Sequence, residues 1–255
     1  EARGKREKFS HHQCPMPHAQ SLNYIYEKFT KNHNPLYILK NQRIKIKTRN
    51  SAIMYDCIIV GAGPAGGTAA YHLAKKGRSV LVLEKESLPR YKPCGGGVSP
   101  SVAQWFDFDF SPAISVKADS LRFTWKLGDP VEAKIETKEP VWMVRRDVFD
   151  HFLIQQAQSQ GAELRDNTEV TGIEFKTDYW QVNTANGPVT GRYLIGADGA
   201  KGQMAKWLGF KERKRRLAGA LEAEVPATVE QKTTIHFEFG LVKNGYIWNF
   251  PKADS

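Results

Sequence analysis

Three glycines at fixed spacing, Gly61, Gly63 and Gly66 in Gly61-Ala-Gly-Pro-Ala-Gly66, could bring bare backbone against a phosphate. An acid, Glu84, stands 23 positions after the first of them. That combination suits a dinucleotide: Gly61 allows a tight turn, Gly63 lets the main chain approach a pyrophosphate, and Gly66 lets the next helix pack closely. Unpaired N–H groups and the positive dipole end of that helix would face the phosphates. Glu84 could accept hydrogen bonds from ribose hydroxyls, and its charge argues against a 2′-phosphate. A second stretch, Pro93-Cys94-Gly95-Gly96-Gly97-Val98, is nearly bare of side chains, and Leu194-Ile-Gly-Ala-Asp198-Gly-Ala200 reads as a strand end. Consecutive glycines expose N–H groups suited to a flat isoalloxazine or its ribityl chain, which moves the reading from NAD to FAD.

The elements that must hold these residues follow from hydrophobic patterning. Residues 55–60 form a short β-rich run that enters Gly61 without a spacer, as a buried parallel strand would. Residues 68–75 read as a helix stopped by Gly77, and 79–83 as a second strand ending at Glu84, which completes a βαβ unit. Asp147 is expected to cap a helix with Phe149, Phe152, Leu153 and Ala157 on one face, ended by Gly161. Residues 162–184 read as strand, turn and strand around Asp178, and 121–125, 131–137 and 233–239 as further strands. The expected fold class is α/β: a Rossmann-like FAD-binding domain over 54–215 with inserted strands, a partial β-sheet substrate domain over 216–255, and an unstructured basic N-terminal extension over 1–53.

Composition bounds the alternatives. With 41% hydrophobic residues and no apolar run near the ~18 residues of a membrane-spanning helix, any membrane contact is peripheral. Cys14, Cys57 and Cys94 are odd in number and far apart, which argues against a disulfide framework and for a reducing, cytoplasmic setting. Residues 1–53 hold eleven Lys/Arg against three Glu, a net +8 of the chain's +10, so the remainder carries only +2 and no nucleic-acid partner is expected. The extension reads as sequence upstream of a start at Met54 or as a passive tail, before a targeting peptide or an anchor for an acidic partner. His11, His12, Cys14 and His18 lack the second cysteine pair of a metal site, so no metal is expected. His236, alone on its strand, reads as structural. No nucleophile triad or acid pair can be assembled, so the flavin would be the reagent.

Gly61-Ala-Gly-Pro-Ala-Gly66, Lys92-Pro-Cys-Gly-Gly-Gly97, Arg146 with Phe149-Asp150, Gly196-Ala-Asp-Gly199 and Tyr246-Ile-Trp-Asn-Phe-Pro-Lys252 together carry a likeness to one family. Over residues 54–252 the chain resembles the geranylgeranyl reductase family of flavoproteins, relatives of hydroxybenzoate-hydroxylase-type monooxygenases. The resemblance implies that Ala65 and Glu84 contact the ADP part of FAD, that Cys94, Gly95 and Gly97 lie beside the flavin, and that Arg146 reaches the phosphates. It implies a backbone contact from Val170 to the adenine, and it puts Asp198 at a turn near the cofactor. It also implies the chemistry: hydride from reduced FAD to one carbon of an isolated isoprenoid double bond and a proton to the other, with electrons from NADPH or ferredoxin.

A prenyl chain gains about 0.8 kcal/mol per buried CH₂. Tyr246, Trp248 and Phe250 are candidates for its wall, with ordinary sheet core as the alternative. Cys94 is the catalytic candidate, with a small buried filler as the alternative. The chain departs from the family pattern at Gly202 and Lys206, where Ser and Arg are usual. The second, Gly-Asp-Ala-rich FAD motif is not found before Ser255, so a C-terminally truncated flavoprotein is expected. A monooxygenase or halogenase on this scaffold, and a non-catalytic flavin-domain fragment with a basic tail, are the other readings. Halogenases carry Trp-x-Trp-x-Ile-Pro where this chain has Tyr246-Ile-Trp-Asn-Phe-Pro.

Overall fold

The computed structural model describes residues 54–210, 218–226 and 233–253; the expected basic extension, residues 1–53, lies outside them. The first strand, β1 (Met54–Val60), is buried from Cys57 to Val60. A continuous apolar run of this kind fits a parallel sheet covered on both faces. After it come α1 (Pro64–Lys75) and β2 (Val80–Leu83), which pairs in parallel with β1 and completes the βαβ unit. The helix starts ahead of the expected residue 68 because Pro64 takes its first turn, where a fixed φ fits and a missing N–H costs nothing.

The chain continues through β3 (Gly97–Val98), β4 (Val116–Ala118), β5 (Ser120–Trp125), β6 (Gly128–Lys134), β7 (Val141–Met143) and α2 (Arg146–Ser159). It then forms β8 (Glu163–Arg165), β9 (Val170–Phe175), β10 (Trp180–Thr184), β11 (Val189–Gly196), α3 (Met204–Trp207), β12 (Thr234–Phe239) and β13 (Tyr246–Asn249). The fold is α/β. Its main sheet has the order β8-β2-β1-β11-β10-β9, parallel from β8 to β11, with the β9–β10 hairpin antiparallel at one edge. Strand alternation sorts the core. Cys57, Ile59, Val80 and Val82 pack with Ala70 and Tyr71 of α1 and Ile154 and Ala157 of α2. Ile58, Val60, Leu81 and Leu83 cluster instead with Val182 and Met204.

A second sheet, β13-β12-β5-β6, draws on two separate stretches of chain, with β12 parallel to β5. Register places Phe123 beside Phe237, Phe237 beside Trp248 and Phe239 beside Tyr246, so one face is aromatic. The small sheet β3-β7-β4 ties the end of the glycine loop, Gly97, to Met143.

Two sequence expectations need correction. Asp147 does not cap α2: the cap position is Arg145, and Asp147 sits inside the first turn, accepting from the Val148 N–H. The buried face of α2 also includes Asp150 and Ile154. Residues 162–184 hold three strands, not two, because Asn167 enters the left-handed region (φ 46°) and breaks the chain between β8 and β9.

Candidate functional site

The glycine turn is closed by the strand next door. Gly61 has φ +106°, and a side chain there would stand 2.3 Å from the Ala197 carbonyl oxygen at the end of β11. A Cβ on Gly66 would lie 1.9 Å from the Gly61 oxygen, so this glycine lets the helix enter directly over the turn. Gly63 differs. The nearest atom to its absent Cβ is an Arg90 guanidinium nitrogen at 3.7 Å, so the protein itself leaves that space open. The first main-chain helical bond of α1 runs from the Gly67 N–H to the Gly63 oxygen. Ala65 and Gly66 therefore stand where a helix presents N–H groups without an intrahelical partner, beside the space at Gly63.

Glu84 ends β2 and is only 5% exposed. Its carboxylate accepts from the Ala62 N–H at 2.9 Å and the Glu86 N–H at 3.2 Å, so it braces the turn while keeping lone pairs for a further donor. Arg90 lies 3.5 Å from the same carboxylate. Beyond Arg90 the charges continue. Asp150 is completely buried and accepts from Arg90 at 3.0 Å and from Arg146 in a fork at 2.7 and 2.9 Å. Burial opposes the charge of Arg146, but its bond to Asp150 and that carboxylate's field outweigh the burial and raise its pKa further, with Cys94 adding to the pull. Glu84, Arg90, Asp150 and Arg146 thus form one chain of alternating charge from the turn to α2.

A cavity of about 220 Å³ opens between Pro64 and Thr68 of α1, Cys94 and Gly96 of the glycine loop, and Arg146, with an apolar floor that includes Phe149. The loop is fixed from the second sheet. A Cβ on Gly95 would meet the Phe250 ring at 2.8 Å and the Trp248 indole nitrogen at 3.0 Å. Trp248 and Phe250 therefore stand against the loop. Tyr246 follows along the same aromatic face, its ring 6.0 Å from that of Trp248, and it is half exposed. Gly97 continues from the loop into β3.

Cys94 is exposed, which overturns the alternative that it is a small buried filler. Val170 is the first residue of β9 and its side chain belongs to the core around Ile58 and Leu83, so only its backbone is open to a ligand. Asp198 accepts from the Met204 N–H at 2.8 Å and so shapes the turn into α3. A Cβ on Gly202 would lie 1.9 Å from the Asp198 carboxyl carbon, so the Asp198 side chain occupies the space beside this glycine. His236 is on β12; burial lowers its pKa, as does nearby Arg122, against a smaller opposite effect of Glu132. The sequence reading missed Arg90, Asp150 as an ion-pair partner, and Lys252. The Arg146–Asp150 spacing of four was the one available signal, since it puts both on one helix face.

The sequence pattern of the FAD binding domain family matches residues 54–244. The chain is 39% identical over 204 residues to an uncharacterized protein of Methanosarcina barkeri, covering 78% of this chain and 52% of that protein. It is 32% identical over 212 residues to digeranylgeranylglycerophospholipid reductase 1 of Methanothermobacter thermautotrophicus, covering 78% and 53%. Among solved structures it is similar to a geranylgeranyl bacteriochlorophyll reductase-like protein from Thermoplasma acidophilum, with 25% identity, a TM-score of 0.64, and coverage of 79% of this chain and 54% of that one. The chain spans about half the length of the curated relatives it matches.

Proposed function

The chain belongs to the FAD binding domain family, and from that premise we propose that it is the cofactor-binding part of an FAD-dependent reductase that saturates isoprenoid double bonds. The observation that carries this reading is one cavity between the α1 N-terminus, the bare glycine loop and Arg146, with Trp248 and Phe250 packed against Gly95 of that loop. The residues fit the cofactor: the protein fills neither the space at Gly63 nor the cavity beside Arg146.

Ala65 and Gly66 would offer N–H groups to the pyrophosphate, Glu84 its remaining lone pairs to the ribose, and Val170 its backbone to the adenine. Arg146, held in one orientation by Asp150, would supply a fixed cation toward the phosphates. Gly95 and Gly97 would give a flat face, with Cys94 at its edge. Reduced FAD held there would supply the hydride that one alkene carbon takes, with a proton going to the other. Tyr246, Trp248 and Phe250 would hold the prenyl chain and keep water from it. Relatives bearing the names digeranylgeranylglycerophospholipid reductase and geranylgeranyl diphosphate reductase support an isoprenoid substrate. The reading carries with it an electron donor, NADPH or ferredoxin, and a cytoplasmic protein in peripheral contact with the membrane that holds a prenyl lipid.

The test uses the full-length protein. It should purify with the visible absorption of a flavin and, after anaerobic reduction, convert prenyl substrates to products heavier by pairs of hydrogens. Oxygen consumption with hydroxylation or halogenation of an aromatic compound would replace this reading with the monooxygenase or halogenase one. A colourless protein that FAD does not restore would point to the non-catalytic fragment.

A further inference from the structure

Lysine side chains are almost never fully buried unless paired, yet Lys252 is only 5% exposed. Among the described residues its ammonium makes no salt bridge; it donates instead to the Gly95 carbonyl oxygen at 2.6 Å, a short bond of the charge-assisted kind. Burial draws its pKa down, while the carboxylates of Glu222 and Glu224 act at longer range in the opposite direction. A buried charge is costly unless it is paired and hydrogen-bonded, and here the hydrogen bond goes to a loop carbonyl.

The peptide from Gly95 to Gly96 is trans, since the chain's one cis bond among the described residues is Leu88–Pro89. A trans peptide is planar, with its C=O and N–H on opposite sides. With the Gly95 carbonyl drawn onto Lys252, the Gly96 N–H must point the other way. The next peptide is fixed as well, because the Val144 N–H donates to the Gly96 oxygen at 2.8 Å. Gly96 has φ +76°, and a Cβ there would lie 2.0 Å from the Val144 oxygen, so no other residue could take this conformation in this space. Gly96 lines the cavity together with Cys94 and Arg146. Among the described residues its N–H has no backbone acceptor.

We propose that Lys252 is a positioning residue: by fixing the Gly95 carbonyl it aims the Gly96 N–H into the cavity as a donor for a carbonyl or anionic edge of the group bound there. The ligand half of this inference rests on the FAD reading above; the latch itself does not. Phe250 and Lys252, two positions apart on either side of Pro251, both reach the loop at Gly95.

The experiment compares the parent with Lys252→Met, which keeps the apolar stem and removes the ammonium, and with Lys252→Leu as a second neutral variant. Hydrogen exchange on the FAD-free proteins reads the latch: the Val144 amide and residues 93–98 should exchange faster in both variants, while the β1 amides stay as protected as in the parent. Titration with FAD should show affinity about tenfold weaker, equivalent to ~1.4 kcal/mol. The midpoint potential of the bound flavin should become more negative, because a donor to the electron-rich reduced ring is no longer held in place; a merely structural lysine would leave the potential unmoved. Parent-like exchange, affinity and potential in a folded variant overturn the proposal. If the parent binds no flavin, the FAD reading and the donor role fall together, and the exchange data alone decide the latch.

Discussion

Asp150→Ala would leave two guanidinium groups facing an empty, buried space. In the native protein this carboxylate is fully buried and takes three hydrogen bonds, at 2.7 and 2.9 Å from Arg146 and at 3.0 Å from Arg90. Removing one partner from a buried ion pair costs about 3–5 kcal/mol, because the other charge stays desolvated. Arg90 and Arg146 have side chains 12% and 17% exposed, so each has a partial route to water, and the lower end, about 3 kcal/mol, is expected. Urea denaturation followed by tryptophan fluorescence gives the answer. At a typical slope of about 1–3 kcal/mol per molar urea, the midpoint should fall by roughly 1–3 M with the slope unchanged. Asp150→Asn keeps the shape and one acceptor oxygen and should lose less. An Asp150→Ala protein within about 1 kcal/mol of the parent would refute the reasoning, since a loss that small is the size of an exposed ion pair.

Gly66→Ala places a methyl group 1.9 Å from the Gly61 oxygen, so the turn must move; FAD binding measured by titration should weaken by at least about tenfold. Glu84→Ala removes the charged acceptor proposed for the ribose, worth about 1.5–3 kcal/mol, so FAD affinity should fall roughly 10- to 150-fold; parent-like affinity would show that Glu84 does not serve the cofactor. Burial, aided by Lys75 and Lys76, lowers the pKa of His72 below 6.5. The unfolded state then takes up the proton first, so this contribution to stability is present above pH 6.5 and is lost as pH falls through that value toward the folded pKa. His72→Gln should flatten that part of a stability–pH profile. Trp248→Ala in the full-length protein should raise KM for a prenyl substrate well beyond any change in FAD affinity, because its ring borders the loop and not the ADP end; equal effects on both would count against the tunnel.

The βαβ unit and its cofactor class were legible in the sequence because both are local. A buried parallel strand is written as a short apolar run, and the turn after it as glycines whose spacing is set by the strand, the phosphate and the helix. Three of the four strands of the second sheet were visible as runs of strand-forming residues, while β13 was not read as a strand. What the amino-acid order could not state was which distant residues meet. Arg90 and Asp150 are 60 positions apart, and Lys252 lies 157 positions from the carbonyl it holds. No periodicity links such pairs. The helix start at Arg146 was misjudged because Asp147 has the side chain of a cap, while the chain's path out of β7 put Arg145 at that position. Cys94 looked able to be a buried filler, and only the folded chain shows it exposed at the cavity. Sequence determined the elements, since backbone propensity and burial pattern act over a few residues; the tertiary structure alone decided the charge network and the latch, since a buried ion needs a partner from whichever segment the fold brings within hydrogen-bonding distance.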